Sequence, residues 1–398
     1  MESDRLIGQR IREHRDRQGR NQSVVAGLCG ISEDYLSRIE RGKKTPTLPV
    51  LMAISRELRV PVAVLLGDTS APETTSHESF IEQDVAQALL GYADGHNRPL
   101  LSPSALRKAV EGAWRTWQTS KTRFTDASAV LPCLITDVEN AVRFHRTGTD
   151  IEAKREVLRC AADLYFLLRS YCRRTGRGDL SLMVADRGMR AAEDADDPLR
   201  IAAAQWNLGH ILLGTDEPEA AAEVAARGIE RLVRTPQANT AAMVGALHLV
   251  AVVADCRRKN FWAARDRLRE QAAPQGERVG DGNVLHTVFG PTNVALHAVS
   301  LDMEAGESSA ALNLADSIDT NGLPLERQFT FQLEVARCWD LRKEDAAVLV
   351  HLLDLEELAP EDLARSPLAR QMITDLRKCV RATYRKQVVG LAERVGVH

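Results

Sequence analysis

The chain is predicted to be all-α in two parts. A compact five-helix domain occupies residues 1–67, and a long body of stacked helix pairs occupies 80–398. Three observations carry this. No stretch alternates apolar and polar residues with β-branched enrichment, so strands find no support. Apolar residues recur instead at three- and four-residue spacing almost throughout. Between the two parts runs Gly67 to Ser79, rich in Ser, Thr and Pro and without periodicity, so 68–79 reads as a linker.

Composition bounds the rest. The 398 residues are 44% hydrophobic and 27% charged, enough for a large core in a globular chain. No run of eighteen uncharged apolar residues predicts a transmembrane helix, and Glu2, Asp4 and Arg5 leave no room for a secretory h-region. The seven cysteines are an odd, scattered set without a CxxC pair. That pattern predicts reduced thiols in the cytoplasm rather than disulfides or a zinc site. The net charge of −3 is unevenly spread: residues 1–67 hold twelve of the 52 Lys+Arg and eight of the 55 Asp+Glu, so +4, and the remainder is −7. A basic head on an acidic body suits contact with a polyanion.

In the head, Leu6, Ile7 and Ile11 mark a first helix that ends before Gly19. Asn21 is placed to cap a second, whose apolar face is Val25, Ala26 and Cys29 or Leu28. Gly30 sits where positive φ is cheap, Ile31 anchors the turn, and Ser32 caps a third helix. Tyr35, Leu36 and Ile39 then face inward, leaving Glu33, Asp34, Ser37 and Arg38 outward. Lys43 and Lys44 follow in a loop closed by Pro46. Leu48, Leu51, Ile54 and Leu58 make a fourth helix, and Pro61 to Leu66 a fifth. Two short helices across a glycine turn form a helix-turn-helix, whose second helix fits the major groove of B-DNA.

The run Tyr35-Leu-Ser-Arg-Ile-Glu-Arg-Gly-Lys43, with Gln22, Ala26, Gly30 and Ser32, resembles the phage-repressor/Cro-like (XRE-family) helix-turn-helix. The resemblance implies double-stranded DNA as partner. Gln22 would touch a phosphate or base, and Ser32 a phosphate through its cap and backbone N–H. Glu33, Asp34, Ser37 and Arg38 would read bases, and Lys43 and Lys44 would meet phosphates. It also implies an internal ion pair between Arg10 and Glu40. His14 and Arg20 depart from the family's leucines, which would loosen the first helix. Glu33 and Asp34 put carboxylates at the reading surface, where they either accept from cytosine N4 or merely favour the helix N-terminus.

Beyond the linker, helices are expected over 80–92, 103–119, 126–146, 150–174, 179–194, 198–213, 217–234, 238–258, 261–272, 288–305, 307–319, 325–341, 343–357 and 361–392. Several adjacent ones share a layout: a long helix, a polar turn, then a helix with Ala near its start. The markers Ala221, Ala264, Ala311 and Ala347 are 43, 47 and 36 residues apart. Over 150–395 the body thus resembles a degenerate tetratricopeptide array, an α-solenoid whose stacked helix pairs share a core. The run Leu164 to Leu168 and the thiols of Cys160 and Cys172 read as core.

No GxxxxGK[ST], HExxH, GxSxG or strand-framed GxGxxG is present, so neither enzyme chemistry nor a cofactor is predicted. Two fragments suggest a ligand surface: Asn207 and His210 at i, i+3, and Asn293 and His297 at i, i+4, each on one helix face. An asparagine amide bonds both N–H and C=O of an extended peptide; the alternative is hydrogen bonding between repeats. Head and body together resemble the peptide-pheromone sensors of Gram-positive bacteria and, from Phe289 to Gly396, an actinobacterial group of XRE-family regulators with tetratricopeptide-like bodies. The resemblance implies a homodimer on an inverted-repeat operator whose body senses a peptide or small molecule. A competing reading is a DNA-tethered scaffold whose body binds a protein partner.

Overall fold

The computed structural model describes residues 2–17, 19–58, 60, 62–66, 76–91 and 99–397, and they are helical without a strand. Contacts divide the chain into two compact units, Met1–Ser79 and Phe80–His398. Residues 68–75 of the expected linker lie outside the described residues, and from Ser76 the chain is already helical.

In the first unit, α1 (Glu2–Arg17), α2 (Gln22–Leu28), α3 (Glu33–Glu40), α4 (Leu48–Leu58) and α5 (Val62–Leu66) enclose one apolar core. It comprises Ile7 and Ile11 of α1, Val25 and Ala26 of α2, Leu36 and Ile39 of α3, and Leu51, Ile54, Leu58 and Leu65. Gly8 lies where α1 crosses α3: a Cβ there would fall on the Ile39 carbonyl oxygen. The turn between α2 and α3 is as expected. Gly30 has φ +68, and the Ile31 amide bonds back to the Ala26 carbonyl at 3.0 Å. Ser32 caps α3 by accepting from the Tyr35 amide at 3.2 Å, whereas Asn21 occupies the cap of α2 without a side-chain bond. Of the alternatives for α2's inner face, Cys29 packs on the core and Leu28 is exposed.

The second unit contains α6 (Ser76–Leu90), α7 (Pro103–Thr119), α8 (Arg123–His145), α9 (Ile151–Arg174), α10 (Gly178–Asp194), α11 (Pro198–Gly214), α12 (Pro218–Arg234), α13 (Thr240–Arg257) and α14 (Phe261–Arg267). Then come α15 (Ala273–Val279), α16 (Pro291–Glu304), α17 (Ser308–Ala315), α18 (Leu325–Leu341), α19 (Asp345–Leu358), α20 (Pro360–Arg365), α21 (Pro367–Cys379) and α22 (Ala382–Val395). From α9 to α14 and from α16 to α19 each helix packs on the next, and first helices also touch one another, as α9 does α11 and α11 does α13. The four marker alanines fall on the second helices α12, α14, α17 and α19, and Ala221, Ala264 and Ala311 are wholly buried. The result is an all-α solenoid of helix pairs. Its core divides into three successive clusters: α6 to α16, then α16 to α18, then α18 to α22. The run Leu164 to Leu168, Cys160 and Cys172 are buried in the first. Among the described residues one helix, α13, is long and apolar enough to cross a membrane; it is mostly buried within this core.

Three expectations are corrected. The helix expected over 361–392 is three helices. Pro367 starts a new one, with Ser366 capping the Ala369 amide at 3.3 Å, and Val380, extended and buried in the last core, starts another turn. The helix expected to stop at 272 continues to Val279. A π-turn over Leu268–Ala272 precedes Pro274, and this wider turn lets the chain pass a residue without an N–H. Helix α16 starts at Pro291 rather than 288, because Leu285, His286 and Val288 hold positive φ of 46, 63 and 54.

The array also closes on itself. α18 packs against α7. Arg123, at the start of α8, has no exposed surface and pairs with Asp362 of α20 and with Glu326 of α18 at 3.3 Å. Glu361 accepts the Phe124 amide at 2.8 Å, and Lys121 donates to the Glu357 carbonyl at 3.0 Å.

Candidate functional site

On the head, the buried side of α3 is held by charge as well as by Leu36 and Ile39. Glu40 is 7% exposed and takes a fork from Arg15, Nε to Oε1 at 2.8 Å and Nη2 to Oε2 at 3.0 Å. Its hydrogen bond, followed by the opposing effect of burial, holds the Arg15 guanidinium above its ordinary pKa. The expected partner Arg10 is not there; its Nη1 reaches the Leu65 carbonyl at 3.5 Å. The reason is helical phase: Ile7, Ile11 and Arg15 recur every four residues on the face turned to α3, and Arg10 lies off it. Arg20, where leucine was expected to be missed, clamps the Glu57 carboxylate and donates to the Glu57 carbonyl at 3.2 Å, fixing the loop on α4. His14 is half-buried.

The outer side of α3 carries Glu33, Asp34 and Arg38, all exposed, and Ser37, half-buried. Arg38 and Asp34 pair one turn apart at 2.8 Å. Lys43 and Lys44 are exposed just beyond, the Lys44 ammonium 5.8 Å from the Tyr35 ring centre. Gln22 is half-buried, and its amide donates to Glu40 Oε2 at 2.8 Å, which leaves its carbonyl oxygen and second N–H for a partner. Seven of the eight expected DNA contacts thus surround the α3 N-terminus and the loop after it, with Gln22 tethered behind.

In the body, the first helices α7, α9, α11, α13, α16 and α18 and the segment 286–288 enclose a cavity of about 350 Å³. His210, Asn293 and His297 all line it. Asn207 does not: at 2% exposure, its Oδ1 accepts from Arg169 Nε at 2.7 Å and its Nδ2 donates to the Ala203 carbonyl at 2.8 Å. It orients an arginine of the cavity rather than facing it. Asn293 is 4% exposed, and its Oδ1 has no partner. Asn207 is therefore buried between α9 and α11, whereas Asn293 stands at the cavity wall. His297 Nδ1 lies 2.8 Å from the Asn293 carbonyl, and His210 meets the Trp206 ring edge-on at 4.4 Å. Burial, followed by the Arg327 charge, pulls the His297 imidazole down to about 3. Burial, then Arg169 and Arg173, keep His210 well below its ordinary value.

The cavity's charges were not anticipated. Its lining holds six arginines against Glu304, Glu326 and Glu334. Arg337 is paired with Glu304 at 2.8 Å and Arg174 with Glu326 at 3.1 Å. Burial works to raise the Glu326 carboxyl, but Arg174, Arg123 and Arg169 outweigh it and hold it far below the carboxylate range. Burial raises Glu334, against a hydrogen bond from Ser300. A segment with little regular structure closes one side. His286 stacks on Trp114 at 3.8 Å, Asn283 donates to Gln118 at 2.8 Å, and Phe289 fills the space over Gly245 of α13, where a Cβ would run into its ring. The sequence signals for this site are His210, Asn293 and His297; Arg169 lies in a stretch, Ala161 to Cys172, that also holds Asp163, so its charge alone does not mark it. Among the described residues, no group of three His, Cys, Asp or Glu side chains is placed to hold a metal ion.

The helix-turn-helix family profile HTH_3 matches residues 11–65. Over 69 residues the chain is 38% identical to the HTH-type transcriptional regulator SinR of Bacillus licheniformis, covering 17% of this chain and 62% of that one. Over 63 residues it is 40% identical to the transcriptional regulator ClgR of Mycobacterium tuberculosis, covering 16% and 56%. The chain thus spans less than two thirds of the length of these curated relatives. Over 69 residues it is 32% identical to the uncharacterized HTH-type transcriptional regulator y4dJ of Sinorhizobium fredii, covering 17% of this chain and 90% of that protein. The solved structure of Bacillus thuringiensis PlcR with the peptide PapR7 and DNA aligns with 69% of this chain and 95% of its own, at 14% identity and a TM-score of 0.30. A glycine turn between α2 and α3, a buried Arg15–Glu40 fork beneath an outward-facing α3, and a relative matched over nine tenths of its length together mean that the chain belongs to the XRE-type helix-turn-helix family.

Proposed function

We propose that the protein is a sequence-specific DNA-binding transcriptional regulator. Its head reads a major groove through Glu33, Asp34, Ser37 and Arg38 of α3. Ser32, Lys43, Lys44 and the free end of Gln22 fix it to the phosphates. The observation that carries this is the two-sidedness of α3: Leu36, Ile39 and Glu40 lock one face, while its N-terminal half and the lysine loop beyond it stand exposed. The relatives named as transcriptional regulators support the same reading. One recognition helix spans only a few base pairs, so the protein acts as a homodimer on an inverted repeat, with the body supplying the interface. The body's cavity, lined by His210, Asn293 and His297, takes the effector. An effector acts by binding one arrangement of the body better than the other; a tenfold change in DNA affinity needs about 1.4 kcal/mol of such preference.

Selection of bound duplexes from a random-sequence pool by the full-length protein tests this. The expected product is a two-fold symmetric consensus with half-sites about one helical turn apart. Recovery of unenriched sequence would refute sequence-specific binding.

A further inference from the structure

Six first helices of the array converge on one cavity, and its charge is unbalanced. Arg169 and Arg173 lie one turn apart on α9, on the same face, and both line it. Neither makes an ion pair among the described residues, whereas Arg174 and Arg337 beside them do. Arg169 is 5% exposed. Its Nε is spent on the neutral Asn207 amide, and its guanidinium lies 5.6 Å from the Trp206 ring centre. Arg173 is exposed, and it lines the cavity. Arg327 is a third cation at the wall, its buried Nε without a partner, and Asn293 Oδ1 is a further unpartnered buried atom.

A buried guanidinium without an anion is costly. Burial first, and then the charge of Arg173 on Arg169 and of Arg174 on Arg173, pull both below the ordinary arginine value, with Glu326 opposing in each case. Arginine does not give up its proton in proteins, so both stay charged at the cavity wall without an ion-pair partner among the described residues. Helix α13 contributes the apolar Ala246, Leu249, Val252 and Val253 to the wall, along with Cys256 and Arg257. The volume of about 350 Å³ suits a small molecule.

We propose that this cavity binds a small organic anion, its acidic head between Arg169 and Arg173 and its apolar body against Trp206 and α13. The head is a carboxylate or a phosphate, either of which an arginine fork receives. Asn207 is a positioning residue: it holds the Arg169 guanidinium by its Nε and leaves the outer nitrogens to the ligand. The assignment rests on the reading of the body as the effector-binding unit and names the chemical class of the effector.

The test uses two dyes of nearly one shape with full-length protein. 8-Anilinonaphthalene-1-sulfonate carries an anionic head, and N-phenyl-1-naphthylamine is the same body without it. The expected result is one sulfonate dye per chain, bound at least tenfold tighter than the neutral dye. Arg173→Gln should abolish that tenfold preference without lowering the melting temperature, and Arg173→Lys should restore most of it. Displacement of the dye by benzoate or by phenyl phosphate then identifies the head group. Equal binding of both dyes, absence of one-to-one sulfonate binding, a preference that survives Arg173→Gln, or displacement by neither acid would overturn the proposal. Operator affinity measured in the same titrations separates the two readings. A neutral dye that binds better and shifts DNA affinity leaves the effector reading standing without the anion. A sulfonate dye that binds as expected with DNA affinity unchanged supports the anion site and removes the effector reading.

Discussion

Glu40 and Arg38 sit two residues apart on α3 and face opposite worlds. Glu40 and Arg15 have side chains 3% and 10% exposed, and Gln22 also donates to Glu40 while Asp16 also pairs with Arg15 at 2.7 Å. Removing one leaves a buried charge, which costs about 3–5 kcal/mol. Glu40→Ala is therefore expected to move the head's urea midpoint sharply downward; an unchanged midpoint would show that water replaces the carboxylate. Arg38 and Asp34, by contrast, are 56% and 65% exposed, and an exposed pair contributes little to stability. Arg38→Ala should therefore leave the fold intact and lose about 1–3 kcal/mol at each base pair it reads. A gel-shift titration at fixed salt decides it, and unaltered operator preference would remove Arg38 from the reading surface. Arg173 belongs to the same scale. Arg173 is exposed and makes no ion pair among the described residues, so Arg173→Gln should not lower the melting temperature of the ligand-free protein, which a thermal melt checks.

At the scale of elements, α13 is the pivot of the body. Most of its residues are buried, and Gly245 leaves room for the Phe289 ring, which anchors the segment carrying His286 and Val288 at positive φ. Strained backbone of this kind persists only where surrounding packing enforces it. Gly245→Ala should cost about 1–3 kcal/mol by overpacking and release the segment, changing the fluorescence of Trp114 as its stack on His286 loosens. Gly245→Ala with Phe289→Leu should recover part of both; no recovery would mean that the contact is not what holds the segment.

For the whole molecule, two expectations follow from charge. Replacing Lys43 and Lys44 together by Ala should weaken binding to all DNA alike and flatten its salt dependence by up to about two units of slope. A changed sequence preference with the slope intact would contradict a phosphate role. The second concerns acid. Burial, the largest cause in each case, holds His248 and His286 at about 4 and His297 at about 3. The unfolded chain protonates these imidazoles first, at about 6.5. Their contribution to stability is therefore complete above pH 6.5 and is lost as pH falls through 6.5 towards 4. The slope is at most about 1.4 kcal/mol per pH unit for each histidine. Melting curves between pH 7 and 4 check this, and a flat profile would mean that the three rings reach solvent in the folded body.

What the sequence determined by itself is short-ranged. Helical period, the Gly30 turn, the Ser32 cap and the inward trio Tyr35, Leu36 and Ile39 each depend on residues within a turn or two, so the head's architecture was legible almost to the residue. The same holds for the helix pairs of the body and their marker alanines. Errors arose where a local signal met a longer-range demand. Arg10 and Arg15 are equivalent in composition, but only one shares the phase of Ile7 and Ile11 that meets α3. A 361–392 helix reads well until the last core draws Val380 inward. The asparagines were recognised as unusual, but which of them faces open space depends on the neighbour: Asn207 finds Arg169 from α9, and Asn293 finds no partner. The closure of the array through Arg123 and Asp362, 239 positions apart, has no local trace at all. Only the tertiary structure decided that a row of first helices lines one cavity. It brings together arginines from α9 and α18 that are each unremarkable in sequence, and their charges add only once folding removes the water between them.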